Sequence, residues 1–231
     1  MKIIISTCDA HAWILPVFFH FYKKAWPGNP YRTEIITGRK HVDGTVFYTG
    51  RSPWSTGILD YLRKARGNKF MLILEDFLLK TVDAKRVRIA ERLCTGDVGC
   101  VRLSNDPHKY FKKHTKDSPI IKGFRQYPND QRFSGAIQIA IFQKEYLFDV
   151  LKNKENIQNA QCRGTKRLKD LASKWRILWP EENIFDYPSV GLIKKGMLQP
   201  RVLRWAKSEL SEDSPEYEIL QNQIKKQSDG L

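Results

Sequence analysis

KFMLILEDFLLK, residues 69–80, decides how this chain is read. Phe70 to Leu74 is an unbroken apolar run, followed by two adjacent acids, Glu75 and Asp76, and then by Phe77, Leu78 and Leu79. A short continuous apolar run suits a strand covered on both faces, as in a parallel sheet. An isolated carboxylate inside such a run costs several kcal/mol or more to bury, so it finds a cation or takes up a proton. The two acids therefore belong at the carboxyl end of the strand, where open α/β sheets bind their ligands. An acid there can hold a divalent metal through oxygen, and the metal can neutralise a diphosphate leaving group. The competing reading is a structural acid paired with one of the chain's many Lys and Arg residues.

The flanking sequence supports a strand in an alternating pattern. MKIIISTCDA reads as a buried first strand and the loop after it. HAWILPVFFHFYKKAW has the apolar spacing of a helix, and PGNP stops it. TEIIT (33–37) and TVFYTG (45–50) read as strands. SPWSTGILDYLRKARG predicts a helix with Ser52 as N-cap and Pro53 at its first position, ending at Gly67. VDAKRVRIAERLCTG predicts a helix, and DVGCVRLS a strand. Alternating strands and helices predict an α/β fold with a mostly parallel central sheet flanked by helices.

Residues 107–133 break this rhythm, with seven Lys or Arg against two Asp, and read as a long basic loop. SGAIQIAIFQKEYLFDVLKN returns to a strand running into a helix. A basic helix is expected over 163–176, and a strand or hairpin over FDYPSVGLIKKGML. The tail from Lys207 carries six acids against three bases, and Ser214-Pro215 starts a last helix.

Charge is the compositional outlier. Forty Lys and Arg against 25 Asp and Glu give +15 over 231 residues, which favours a polyanionic partner. Cys8, Cys94, Cys100 and Cys162 form no CxxC pair and no zinc spacing, so they read as reduced thiols in a cytoplasmic protein. No apolar window is long enough to span a membrane. GxxxxGK[ST], GxGxxG, HExxH and GxSxG are absent, which argues against a P-loop enzyme and an NAD-type Rossmann domain. His11, His20, His41, His108 and His114 form no evident relay and read as surface or packing residues.

In order along the chain stand KIIISTCDA, WPGNPY, IIT, GRSPWSTGILDYLRKA, KFMLILEDFLL, QIAIFQKEYLFDVL, RGTKR and YPSVGLIKKG. This succession, over roughly residues 1–200, resembles a family of small GT-A-fold glycosyltransferases. Trp54-Ser55, the ILEDFLL strand and the run from Gln138 to Leu147 carry most of the likeness. Family members belong to polysaccharide-building systems, and one branch glycosylates hydroxymethylated bases in phage DNA. The resemblance implies a single Rossmann-like domain over 1–206, with a nucleotide-sugar half (1–105), an acceptor half (106–206) and a polar tail (207–231). It implies that Thr7 and Asp9 meet the donor nucleoside, and that Arg51, Trp54 and Ser55 close that site. Asp76, with Glu75, takes the place of the metal- or sugar-binding acid, and Lys194 and Lys195 approach the diphosphate. The expected cofactor is a divalent ion, Mn or Mg, on Asp76; the expected donor is a UDP-sugar.

Where the family carries a carboxylate, near NAQCRG, this chain has Gln161. An amide can hydrogen-bond a sugar hydroxyl but cannot act as a general base. Asp106 and Asp130, which flank the basic loop, are the alternative bases; a retaining reaction needs none. The charge points to double-stranded DNA as acceptor, met by the basic loop 107–133 and the helix 163–176, since DNA rewards Lys and Arg by counterion release. Tyr110, Phe111, Phe124 and Tyr127 could stack on or wedge beside a displaced base, the competing reading being local packing of the loop. A phage-encoded chain of this kind would act in the host cytoplasm. The alternatives are a polysaccharide or lipopolysaccharide transferase at an anionic membrane surface, and a DNA-binding module without enzyme activity.

Overall fold

A computed structural model of the protein describes residues 1–39, 42–137, 139–188 and 190–229. Gln138, which opens the run to Leu147, and Ser189 of YPSVGLIKKG lie outside the described residues. The elements in chain order are β1 (Lys2–Ser6), α1 (Leu15–Ala25), β2 (Arg32–Thr37), β3 (Thr45–Tyr48), α2 (Trp54–Lys64), β4 (Lys69–Leu74) and β5 (Thr81–Val82). Then come α3 (Ala84–Leu93), β6 (Val98–Arg102), α4 (His108–Thr115), β7 (Ile120–Ile121), β8 (Phe124–Tyr127), β9 (Ala140–Gln143) and α5 (Lys144–Val150). Last are α6 (Ile157–Asp170), β10 (Arg176–Pro180), β11 (Phe185–Asp186), β12 (Ile193–Lys194), β13 (Met197–Leu198), α7 (Pro200–Glu209) and α8 (Pro215–Asp229).

Nine strands form one sheet in the order β3-β2-β1-β4-β9-β6-β10-β8-β7. β1 to β4, β6, β7 and β10 run one way; β8 and β9 run against them. Both faces are covered, which is why KFMLIL shows no polar alternation. Ile3, Ile5, Met71 and Ile73 face a layer built on α1, α3, α7 and α8. Ile4, Phe70 and Leu72 face the opposite layer, built on α2, α5 and α6. Each of these side chains gains roughly 1.5–3 kcal/mol from burial, so the register of the two central strands is firmly fixed.

Three expectations change. The segment 107–133 is ordered: α4 buries Phe111 and Thr115 one helical turn apart, and β7 and β8 form a hairpin on the edge of the sheet. The basic helix α6 starts earlier than expected and ends at Asp170, so Arg176 belongs to β10, where it pairs with Asp97 at 2.7 Å. Pro53, not Ser52, occupies the N-cap of α2, and no side chain caps that helix. β9 enters antiparallel between β4 and β6, so its first residue, Ala140, lies beside Leu72 and Arg102 towards the carboxyl ends of those strands. α7 runs through residue 206, and Leu210 and Leu220 join the core formed with α1.

Candidate active site

The carboxyl ends of β1, β2 and β3 and the start of α2 enclose a cleft of about 320 Å³. Thr7, Asp9, Arg51 and Trp54 line it, together with Cys8 and Ser52. Each is held by the strand ends beneath it. The Thr7 amide donates to the Ile36 carbonyl at 2.9 Å, carrying the β1–β2 pairing one step past the strand. The Trp54 indole donates to Ser6 Oγ at 3.0 Å, which pins the ring over the end of β1. Asp9 accepts the Arg39 amide at 2.6 Å and faces its guanidinium at 3.6 Å.

Ser55 stands behind this cleft rather than in its lining. It is fully buried; its hydroxyl donates to the Lys152 carbonyl at 2.6 Å and accepts the Glu155 amide at 2.9 Å. Glu155 is itself buried and receives two Arg167 nitrogens at 3.0 and 2.8 Å. Burial opposes its ionisation, yet the Arg167 hydrogen bonds win and hold its carboxyl below the ordinary range. Ser55 thus fastens α2 to the loop between α5 and α6.

The two acids of the opening stretch leave the sheet beside Thr7 and Cys8, because Ser6 pairs with Leu74. Glu75 is buried and its Oε1 meets His11 Nδ1 at 3.1 Å. Burial and the neighbouring Glu75 charge push Asp76 up from 3.8 to about 7. Asp76 lies against Gly191, where a Cβ would overlap its carboxylate. Its carbonyl accepts the Leu192 amide at 2.7 Å. That bond ties the β12–β13 hairpin, which carries Lys194 and Lys195, to the end of β4. Gln227 of α8 grips the far side of the hairpin, donating to the Gly196 carbonyl at 3.1 Å and accepting the Leu198 amide at 3.3 Å. Lys194 and Lys195 are exposed, and Lys195 turns the hairpin with a φ of 53°.

Asp76 and Glu75 offer hard oxygens at one strand end, and their mutual repulsion is what a divalent cation relieves. Asp76, the acid not taken by His11, therefore fits a Mn or Mg ion. Sequence reasoning missed the neighbours of this pair, Cys8 and His11. His11 is pushed up to about 10 by hydrogen bonds with Cys8 and then Glu75, and the Cys8 thiol is lowered chiefly by His11. The three residues are separated by up to 67 positions in the chain, so no spacing motif announces them.

The remaining candidates lie towards the other half of the sheet. Asp106 follows β6; it is half-buried, and burial raises its pKa against the pull of Arg102. Asp130 is exposed in the turn after β8, where it accepts from Gln131 at 3.3 Å. The next residues, Arg132 and Phe133, line a second cavity of about 310 Å³ with Ala136, Gln161, Thr165 and Lys166. Phe133 has a φ of 73°, a left-handed conformation rare for a bulky residue and found where a site holds backbone strain. The loop reaches α6 because Gly135 has no side chain: its amide donates to Thr165 Oγ1 at 3.1 Å, and a Cβ would strike the α6 backbone.

No protein-family model matches the chain, and no curated protein matches it in sequence. Solved structures do share its architecture. TarS 1–349 of S. aureus superposes with a TM-score of 0.51 at 12% identity, over 95% of this chain and 68% of that one. The mannosyltransferase PcManGT from Pyrobaculum calidifontis, in complex with GDP-Man and Mn2+, gives 0.52 at 16% identity, over 95% and 67%. A cytidylyltransferase from Leptospira borgpetersenii gives 0.51 at 12%, over 98% and 94%. The chain has the GT-A fold. At these identities the likeness is one of fold, shared by sugar transferases and a nucleotidyl transferase alike. No helix among the described residues is long and apolar enough to cross a membrane.

Proposed function

We propose that this protein is a nucleotide-sugar glycosyltransferase that adds a sugar to the hydroxyl of a hydroxymethylated base in double-stranded DNA. One observation supports the donor half of this reading: a cleft, a strand-end acid and a lysine hairpin lie at the carboxyl ends of the neighbouring strands β1 and β4. Thr7, Asp9, Arg51 and Trp54 border the cleft, and the Leu192–Asp76 bond ties the hairpin of Lys194 and Lys195 to the end of β4. In this reading the cleft takes the donor nucleoside, a uridine in the first instance. The hairpin lysines compensate the departing diphosphate, whose negative charge grows as the glycosidic bond breaks. Asp76 would hold the divalent ion, Mn or Mg, which when bound would add further charge compensation.

The second cavity supports the acceptor half. It combines the apolar faces of Phe133 and Ala136 with the cations Arg132 and Lys166 and the amide of Gln161. An extruded base needs such a set: a surface to stack on, an amide for its polar edge, and positive charge for the flanking phosphates. Flipping costs a few kcal/mol, which phosphate contacts recover. The surplus of +15 makes those contacts available. Asp106 is the preferred general base, because burial raises its proton affinity; Asp130 is exposed in the turn after β8.

The test is to incubate the protein with hydroxymethylcytosine duplex and a panel of UDP-, GDP- and CMP-sugars with Mn2+. The DNA is then digested and its nucleosides are weighed by mass spectrometry. A hexose- or N-acetylhexosamine-bearing nucleoside is expected. Sugar on no base with any donor, while donor hydrolysis proceeds, would move the acceptor to a glycan.

A further inference from the structure

Cys8, His11 and Glu75 form a cluster that neither the fold nor the proposed reaction explains. One donor atom from each, a thiol sulfur, an imidazole nitrogen and a carboxylate oxygen, lies within 4.8 Å of the other two. A tight turn after β1 puts Cys8 and His11 on the same side: the His11 amide donates to the Cys8 carbonyl at 3.0 Å. β4 brings Glu75 to them, and His11 Nδ1 stands 3.1 Å from Glu75 Oε1. Two ligands bound to a tetrahedral ion at about 2.0–2.1 Å stand about 3.3 Å apart, so this pair is already at ligand spacing.

We propose that Cys8, His11 and Glu75 form a three-ligand site for a thiophilic divalent cation, Zn2+ in the first instance. The donor set decides the ion. Sulfur and imidazole nitrogen suit zinc and bind magnesium poorly, whereas a hard ion takes oxygens alone, as Asp76 offers. Binding displaces the thiol proton and the proton shared by His11 and Glu75, so charge balances as zinc enters. Three protein ligands leave a fourth position open. Cys8 lines the donor cleft, so that position faces the cleft, where water or a phosphate oxygen completes the tetrahedron. The site stands on these three side chains and holds whichever acceptor the protein uses.

The full chain, stripped with chelator and desalted, is titrated with Co2+ as a spectroscopic probe. The wild type is expected to develop a thiolate-to-cobalt charge-transfer band at one equivalent, which Zn2+ abolishes. Cys8→Ser removes the band, and His11→Ala weakens binding by roughly tenfold or more. Cys162→Ser, which alters the other exposed thiol, leaves the band intact. A second reading uses the wild type alone: Zn2+, but not Mg2+, protects Cys8 from alkylation, as located by peptide mass. No band in the wild type, a band that survives Cys8→Ser, or equal alkylation with and without Zn2+ overturns the site. Donor turnover with Mn2+, measured in parallel, reports separately on the transferase reading.

Discussion

Replacing Asp76 with Asn stabilises the metal-free protein at alkaline pH while removing its activity. The sign follows from the direction of the shift. Asp76 is raised from 3.8 to about 7 in the fold, first by burial and then by the Glu75 charge. The folded protein therefore holds the Asp76 proton more tightly than the unfolded chain does. That contribution to stability is full below about pH 4 and is lost as pH rises through about 7. A displacement of about three pKa units, at 1.36 kcal/mol each, makes the loss roughly 4 kcal/mol by pH 8. At about pH 5 only a little over one unit has been spent, or roughly 1.6 kcal/mol. Asn does not titrate, and the titrating groups away from Glu75 and His11 behave alike in both proteins. Its advantage over wild type should therefore be roughly 2.5 kcal/mol larger at pH 8 than at pH 5. For a chain of this size that is about 5–10 °C in Tm. The assay is thermal unfolding of both proteins with chelator present, followed by circular dichroism at the two pH values. Adding Mn2+ should narrow the gap, since an ion bound only by the native wild type stabilises it by mass action. A gap that stays constant from pH 5 to pH 8, or that shrinks on going to pH 8, refutes the placement of Asp76 in a charge-hostile mouth.

Gly191→Ala should fold but lose at least about tenfold in donor turnover, with a stability cost of roughly 1–3 kcal/mol, because its methyl group displaces the Asp76 carboxylate; steady-state nucleotide release and urea unfolding measure the two effects. Ser55→Ala removes a hydroxyl that makes two buried hydrogen bonds and should cost roughly 1–3 kcal/mol, seen as a lower urea midpoint with an unchanged slope. Arg132→Ala and Lys166→Ala should each weaken DNA binding irrespective of sequence and reduce the salt slope by about 0.9, read by fluorescence anisotropy across a salt series.

Much of the fold was legible because the central strands are short β-branched or apolar runs bounded by turn residues. KIIIS, TEIIT and KFMLIL announce themselves in this way, and PGNP and Gly67 mark the breaks between elements. Strand order was not legible. Periodicity reports which residues are buried and says nothing about neighbours, so β9 gave no sign that it inserts antiparallel between β4 and β6. RILWP was passed over as a strand because it is brief and ends in Pro180. α4 was hidden by its charge: only Phe111 and Thr115, four residues apart, face inwards among lysines and histidines. The signal for α7 was present in Pro200 at the helix start, with Val202 and Ala206 one turn apart. At the site, Thr7, Asp9, Arg51 and Trp54 line the cleft because they sit in loops at strand ends, but it was the family resemblance that singled them out in the sequence. Ser55 belongs to the same short segment but turns the other way, and helix phase alone separates it from Trp54. The Cys8–His11–Glu75 cluster depends on the pairing of β1 with β4, which no local pattern encodes.

The claim underlying the rest is that the mouth beside Asp76 takes a nucleotide sugar. Calorimetric titration of the wild type, Trp54→Ala and Asp76→Asn with UDP-sugars and GDP-mannose in the presence of Mn2+ tests it most directly. Saturable one-to-one binding of at least one donor is predicted, weakened in Trp54→Ala and no longer enhanced by Mn2+ in Asp76→Asn. Binding of no donor by the wild type, or equal binding and equal Mn2+ enhancement in all three proteins, would contradict the account.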